Sequence, residues 1–186
     1  MPADGKPIAA MLTAMKASAA VLRDSGIPFA LGGGFAAWAR GGPVSFHDVD
    51  LVIRAGDTDA ALAALEAAGM RTERPPEGWL VKAWHDEVLV DLIHSPSGYE
   101  EDEDLLDRAE EITVDGMPMP VLPITDVLVS KLRSLNERRL DFEGLLQITR
   151  ALREQVDWER LRRRTSDSPF ARAFLFLVKE LGILGP

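Results

Sequence analysis

The sequence predicts an α+β protein, in which a mixed sheet flanked by helices is followed by a C-terminal helical bundle. Short apolar runs of strand length alternate with helical patterns as far as residue 122. Beyond Pro123 the apolar residues recur only at helical spacing. The 186 residues contain no cysteine, which excludes disulfides and thiolate metal sites. We therefore expect a mixed core over residues 1–122 and a helical region over 123–186 packed on it.

The elements of the first half are predicted from hydrophobic spacing and from glycines that end helices. In chain order they are a helix over 8–22 that Gly26 ends, an apolar run over 28–31, a short helix over 35–40, a strand over 48–53 and a helix over 58–68. Residues 80–84 and 88–93 are predicted to pair as a hairpin. An acidic short helix within 100–111 and two strands, over 112–114 and 117–121, complete this part.

The second half contains four apolar stripes with the spacing of helices. Their members are Val127, Leu128, Leu132 and Leu135; Phe142, Leu145, Leu146, Ile148 and Thr149; Trp158 and Leu161; and Phe170, Phe174, Leu177, Val178 and Leu181. Four helices are therefore expected after Pro123.

Charge is distributed unevenly around a net value of −9. Residues 85–126 hold thirteen acidic side chains and one basic one, whereas residues 131–164 hold ten basic and six acidic ones. The acidic total argues against broad affinity for nucleic acid, which depends on neutralising phosphates. The basic segment still permits a local anionic ligand, such as a nucleoside triphosphate or an RNA end.

Three aspartates have the spacing of a metal site. Asp48 and Asp50 are two residues apart on a predicted strand, so their side chains project from the same face. Asp91 interrupts a wholly apolar strand, where a lone carboxylate is costly unless it is paired or binds a metal. Carboxylate oxygens are ligands that Mg²⁺ or Mn²⁺ prefers. Gly33 and Gly34 precede a short helix and offer backbone N–H groups to an anion.

In this order, Gly33-Gly34-x-Ala36, Asp48-x-Asp50 and Asp91 resemble the nucleotidyltransferase superfamily, which has the DNA polymerase β-like fold. The resemblance implies a minimal nucleotidyltransferase core in which the glycine pair contacts the nucleotide phosphates. It also implies that Asp48, Asp50 and Asp91 bind two metal ions and that Asp91 activates the attacking hydroxyl.

The second half is similar to the AbiEii/MenT-like toxins of type IV toxin–antitoxin systems. The similarity rests on residues 127–132 and on Arg138-Arg139-Leu140-Asp141. It implies that Lys131 and Asp141 join the site, and that a protein antitoxin is a partner. The loop before Asp48 lacks the arginine and the hydroxyl residue at the offsets usual in small members of the superfamily. Arg40 or Ser45 is expected to substitute for them in nucleotide binding.

The resemblance therefore implies a metal-dependent enzyme that transfers a nucleoside monophosphate from a nucleoside triphosphate to an acceptor hydroxyl. Two acceptors stay open. One is tRNA, as for a toxin, which the basic run over 160–164 favours. The other is a small hydroxylated compound such as an aminoglycoside, which the acidic middle segment would suit. A non-catalytic relative that only binds partners is a third alternative. No segment has the length of a membrane span, so a cytoplasmic location without membrane contact is expected.

Overall fold

The computed structural model of the chain describes residues 8–44, 48–97, 99 and 105–184. Within these ranges a mixed sheet of seven strands has the order β3-β4-β5-β2-β1-β7-β6. The strands are β1 Phe29–Leu31, β2 Val49–Ile53, β3 Arg71–Glu73, β4 Leu80–His85, β5 Val88–Ile93, β6 Glu110–Val114 and β7 Met117–Val121. The predicted α+β class is confirmed.

Seven α-helices accompany the sheet in the described part of the chain. They are α1 Ile8–Asp24, α2 Gly33–Ala39, α3 Thr58–Ala67, α4 Ile124–Arg133, α5 Phe142–Leu152, α6 Trp158–Arg164 and α7 Pro169–Glu180. The four helices expected after Pro123 are α4 to α7. No helix of the described residues is both long and apolar enough to cross a membrane.

The pairing of the strands determines which side chains face the site. Strand β2 runs parallel to β5 and antiparallel to β1, and β4 pairs with β5 as an antiparallel hairpin. Side chains alternate between the two faces of a strand. One face of β2, β5 and β4 is apolar and buried under α1 and α3, with Leu51, Leu92 and Ala83 all fully buried. The other face carries Asp50 and Asp91.

Several details of the first half differ from the prediction. Strand β2 begins at Val49, so Asp48 precedes the strand on which it was predicted, and β4 extends to His85. Strand β3 was not expected, because its Arg-Thr-Glu sequence has no apolar alternation and lies at the exposed edge of the sheet. Helix α2 begins at Gly33, two residues earlier than predicted. The helix predicted within 100–111 is represented by one 3-10 turn at Leu106–Arg108, and β6 already begins at Glu110. Residues 100–104 lie outside the described residues.

The hydrophobic core runs through both halves of the chain. Met15 and Leu31 of the first half belong to the same buried cluster as Leu128, Leu145 and Phe174 of the second. Helix α4 packs against α2 and against α6, which connects the helical region to the sheet. This packing places α4 beside the part of the sheet that carries Asp50.

Candidate active site

Asp50 and Asp91 lie directly opposite each other on the parallel strands β2 and β5. Register partners on neighbouring strands project from the same face of a sheet, so the two carboxylates are side by side. Both side chains are partly exposed, unlike the buried apolar residues that precede and follow them on their strands. Asp91 thus lies on an apolar strand, as predicted, and this strand is the neighbour of β2.

The turn between β1 and α2 packs closely against Asp50. The Gly32 N–H donates to the Asp50 carbonyl over 2.8 Å, and the Gly34 N–H donates to the Asp50 side chain. Gly33 has a φ of +54°, and a Cβ built there would lie 1.6 Å from Asp50 Oδ2. A side chain at position 33 would therefore displace the carboxylate. Glycine is required there both by the backbone conformation and by this close contact.

Burial and charge repulsion disfavour ionisation of both acids. Burial raises the pKa of Asp50 to about 6, an effect that Asp48 strengthens and that Lys131 and the Gly34 N–H oppose. Burial, followed by the charge of Asp50, raises the pKa of Asp91 to about 6, and Lys82 opposes this rise. Acids with such raised pKa values in a partly open site are characteristic of functional centres.

Lys131 and Asp48 belong to the same electrostatic neighbourhood. Lys131 is half-buried on α4, and its charge is the largest influence that lowers the pKa of Asp50. Asp48 is exposed immediately before β2, and its charge raises the pKa values of both Asp50 and Asp91. The fold therefore places Asp48 and Lys131 within electrostatic range of the Asp50–Asp91 pair.

The donor chemistry of these acids suits a hard divalent cation. Asp91 Oδ1 is buried and has no hydrogen-bond partner among the described residues, although a buried carboxylate oxygen normally has one. Asp50 and Asp91 offer carboxylate oxygens that Mg²⁺ binds well. Within the described ranges, no three His, Cys, Asp or Glu side chains are close enough together to hold a metal alone. Phosphate oxygens of a nucleotide would have to complete the coordination of an ion at this pair.

Arg40 is engaged at the other side of β1. Its Nε donates to the Leu122 carbonyl over 2.7 Å, its Nη2 donates to the Val121 carbonyl over 3.0 Å, and its Nη1 forms an ion pair with Glu110 at 2.9 Å. These contacts connect α2 to the end of β7. The structure thus gives Arg40 a role in packing, whereas the sequence assigned it to nucleotide binding.

Asp141 and Ser45 complete the predicted set. Asp141 is exposed at the start of α5, where its Oδ1 accepts from the Gly144 N–H at 3.3 Å. This contact is a helix N-cap, which explains the residue without a ligand. Ser45 lies outside the described residues.

A buried charge cluster around Asp126 was not predicted. Asp126 on α4 is 2% exposed and forms ion pairs with Arg108 and Arg160, both at 3.1 Å. The Tyr99 hydroxyl donates to the same carboxylate over 2.6 Å, and the Arg164 guanidinium stacks on the Tyr99 ring. The only sequence signal was an acid within the apolar face of a helix.

This cluster changes the interpretation of the basic run over 160–164. Arg160 binds Asp126, Arg164 stacks on Tyr99, and Arg163 pairs with Glu159 at 2.6 Å. Three of the four arginines of the run thus have partners within the chain. The run therefore gives little support to RNA binding.

Lys82 is a second residue that sequence reasoning missed. It is the Cα partner of Asp91 across the β4–β5 hairpin and is half-buried on the same face. The predicted hairpin, with strands over 80–84 and 88–93, did not give this pairing. Strand β4 extends to His85, and the two-residue turn that pairs His85 with Val88 also pairs Lys82 with Asp91.

The sequence matches a family described as uncharacterised nucleotidyltransferases over residues 11–183. This match spans nearly the whole chain. The chain belongs to this family. No curated protein matches the sequence of this chain.

Solved structures share the fold of this nucleotidyltransferase at low sequence identity. The solution structure of the antibiotic-resistance factor ANT(2'')-Ia is 17% identical, with a TM-score of 0.61 over 91% of this chain and 97% of its own. Its crystal structure with adenylyl-2''-tobramycin is 16% identical, with a TM-score of 0.60 over 92% and 99%. The lincosamide antibiotic adenylyltransferase LnuA, bound to lincomycin, is 14% identical, with a TM-score of 0.51 over 78% and 92%. These likenesses confirm the nucleotidyltransferase fold.

Proposed function

We propose that this nucleotidyltransferase transfers a nucleoside monophosphate from a nucleoside triphosphate to an acceptor hydroxyl, with Mg²⁺ or Mn²⁺ held by Asp48, Asp50 and Asp91. The observation that carries the proposal is the register pairing of Asp50 with Asp91, next to the glycine turn and Lys131. The buried Asp91 Oδ1 without a hydrogen-bond partner supports a cation at this pair.

Each residue of the candidate site has a separate role in the proposed reaction. Gly33 and Gly34 allow the triphosphate to approach the backbone beside Asp50. Lys131 neutralises phosphate charge as a point charge. The acceptor oxygen forms a bond to the α-phosphorus, the bond from that phosphorus to the bridging oxygen breaks, and pyrophosphate leaves. Asp91, which lies beside Asp50 on the neighbouring strand, receives the proton of the acceptor hydroxyl. When bound, the divalent ion adds stabilisation of the phosphate charge and lowers the pKa of the hydroxyl.

The acceptor hydroxyl can belong to a small compound or to tRNA. The fold neighbours include ANT(2'')-Ia in complex with adenylyl-2''-tobramycin and LnuA bound to lincomycin, which favours a small hydroxylated compound. The resemblance of residues 127–132 and 138–141 to AbiEii/MenT-like toxins favours tRNA, a cytoplasmic toxin role and a protein antitoxin. The toxin subtype stays a prediction.

A partial reaction tests the proposal independently of the acceptor. We expect the protein to bind a nucleoside triphosphate in calorimetry when Mg²⁺ or Mn²⁺ is present and to lose this binding in EDTA. The double variant Asp48→Asn/Asp50→Asn should bind neither the metal nor the metal–nucleotide complex. Wild-type affinity in this variant would contradict the assignment of the site.

Label transfer then separates an enzyme from a binding relative. Incubation with each of the four triphosphates, labelled at the α-phosphate, and with total tRNA or tobramycin should label one acceptor class. Asp91→Asn should retain nucleotide binding better than transfer, because Asp91 faces the acceptor in this proposal. Tight metal–nucleotide binding without transfer to any acceptor hydroxyl would favour the non-catalytic alternative.

A further inference from the structure

Among the described residues, no helix has extensive contacts with the face of β4 and β5 that carries Asp91. Helices α1 and α3 are the described helices with extensive contacts to these strands, and they cover the opposite, fully buried face. On the face of Asp91, the side chains of β4 and β5 outside the core are half-exposed. We call this face the β4–β5 surface; its half-exposed members are Lys82, Trp84, Leu89 and Ile93.

The β4–β5 surface lies on the acceptor side of Asp91. In the sheet, β5 separates β4 from β2. The glycine turn, Asp50 and Lys131 lie on the β2 side, where the proposed triphosphate binds. An acceptor that approaches Asp91 without displacing the triphosphate must therefore lie over β4.

Lys82 is the charged side chain of β4 that lies nearest to Asp91 in the strand register. It is directly opposite Asp91 in the hairpin register, and paired Cβ atoms are about 5 Å apart in antiparallel strands. Its charge also acts on the pKa of Asp91, in agreement with this proximity. A lysine at this position attracts an anionic group of the acceptor and repels an ammonium group.

The neighbouring side chains add an aromatic surface and little net charge. Trp84 follows Lys82 on the same face of β4, and the Arg71 guanidinium lies 3.5 Å from its ring centroid. Glu73, opposite Lys82 on β3, is 3.8 Å from Arg71, so that its charge is partly compensated. Glu77 is exposed in the loop before β4 and acts on Asp91 more weakly than Lys82 does.

We infer that the β4–β5 surface binds the acceptor and that Lys82 selects one with a phosphate beside the reacting hydroxyl, such as a ribose hydroxyl of a nucleotide or of an RNA end. A base of the same acceptor can stack at Trp84, since single-stranded nucleic acids bind to aromatic side chains and arginines in this way. This inference rests on the proposed nucleotidyl transfer and narrows its acceptor. It predicts that an aminoglycoside, which carries ammonium groups, is a poor acceptor.

The test measures transfer from an α-labelled triphosphate to four acceptors, with kcat and KM determined for each. The acceptors are a short RNA, a nucleoside 5′-monophosphate, the same nucleoside without phosphate, and tobramycin. The proteins are the wild type, Lys82→Ala, Lys82→Arg and the control Lys179→Ala, which removes an exposed lysine at the end of α7.

We expect Lys82→Ala to raise the KM for the phosphate-bearing acceptors about tenfold or more, because a charge-assisted contact is lost. The affinity for the triphosphate should change little, and any effect of the lost charge on Asp91 should change kcat equally for all four acceptors, so that the KM alone separates the phosphate-bearing ones. Lys82→Arg should restore most of the affinity, and Lys179→Ala should equal the wild type. Labelling of both the RNA and the mononucleotide would show that a phosphate beside the hydroxyl is sufficient for selection. Labelling of the RNA alone would show that the phosphate must belong to an RNA end.

Three results would overturn the inference. These are an unchanged KM in Lys82→Ala, a preference of the wild type for tobramycin, and failure to label any phosphate-bearing acceptor by a protein that binds the metal–nucleotide complex. In each of them the proposed nucleotidyl transfer can still hold. Absence of metal-dependent nucleotide binding would instead refute the proposed function itself.

Discussion

At the scale of single residues, Gly33 and Asp50 form one unit of the candidate site. Gly33 has a left-handed backbone conformation, and the Asp50 carboxylate occupies the space where a Cβ would lie. Any side chain at Gly33 must move either the turn or the carboxylate. Substitution of Gly33 is therefore unfavourable for two separate reasons, backbone strain and overlap of the new side chain with the Asp50 carboxylate.

Gly33→Ala should abolish metal-dependent nucleotide binding and destabilise the fold by more than the roughly 1 kcal/mol that a positive φ costs an alanine. Gly26→Ala is the matched control, since Gly26 has a φ of +70° and a Cβ at that position would have nothing within 4 Å. It should show the strain cost alone and retain binding. Calorimetry and urea unfolding measure both effects. Equal behaviour of the two variants would refute the contact with Asp50.

Asp50 also makes the stability of the metal-free protein depend on pH. Its pKa is raised from 3.8 to about 6 in the folded state, so folding favours the protonated form. The stabilisation from this protonation is complete below pH 3.8 and is lost as pH rises through about 6.

Asp50→Asn should therefore stabilise the metal-free protein at pH 7.5, by on the order of 1 kcal/mol after allowance for partial exposure. At pH 3.5 the two proteins should unfold at nearly the same temperature, because Asp50 is then largely protonated in both the folded and the unfolded state. Thermal unfolding in EDTA at both pH values tests this. A variant that is less stable than the wild type at pH 7.5 would show that the carboxylate contributes to folding.

At the scale of elements, the sequence predicted those parts of the site whose positions depend on the pattern of residues within a strand. The apolar strands around Asp50 and Asp91 were predicted, and the structure places the two residues on β2 and β5. Their exact ends were not, since β2 begins after Asp48 and β4 extends to His85. Arg40 shows the limit of this reasoning, because its partners Val121 and Leu122 are about eighty residues away and depend on tertiary packing. Strand β3 was missed for a similar reason, since pairing with β4 outweighs its weak intrinsic pattern.

Helix α4 connects the helical region to the chemistry through Lys131. Its apolar side packs in the core, and Lys131 at the edge of that side directs its charge towards Asp50. Lys131→Ala should weaken nucleotide binding by on the order of 1.5–3 kcal/mol while the protein stays folded. Lys179→Ala should leave the Kd unchanged. Wild-type affinity and turnover in Lys131→Ala would remove this residue from the site.

Helix α4 is also anchored by Asp126, which is buried between Arg108 and Arg160. Asp126→Ala should destabilise the protein by about 3–5 kcal/mol, because two arginines and the Tyr99 hydroxyl lose their carboxylate partner. Asp167→Ala is the control, as it breaks the exposed ion pair of the same helix through Arg133 and should have little effect. Urea unfolding compares them. Similar losses in both variants would mean that burial adds nothing to the Asp126 cluster.

At the scale of the whole molecule, the order of elements was predictable, whereas the continuity of the core was not. The change from strands to helices at Pro123 is visible in the sequence, because the hydrophobic period changes there. Helical stripes do not reveal their partners, however. The buried cluster joins Met15 and Leu31 to Leu128 and Phe174, so the two predicted regions share one core.

A fragment of residues 1–122 should therefore fail to fold on its own, although it contains all seven strands of the described residues. Removing the second half exposes the face of α2 that packs on α4, and it removes the core side chains of α4, α5 and α7. The loss of a large part of the apolar burial outweighs the marginal stability of a domain of this size. We expect the fragment to lack the near-ultraviolet circular dichroism and the cooperative unfolding of the full chain, and the full chain to unfold in one transition.

Mixing the fragment with residues 123–186 is the decisive control, since recovery of the native signal would show that the missing core contacts caused the failure. A fragment that unfolds cooperatively alone would instead establish the first half as an independent domain.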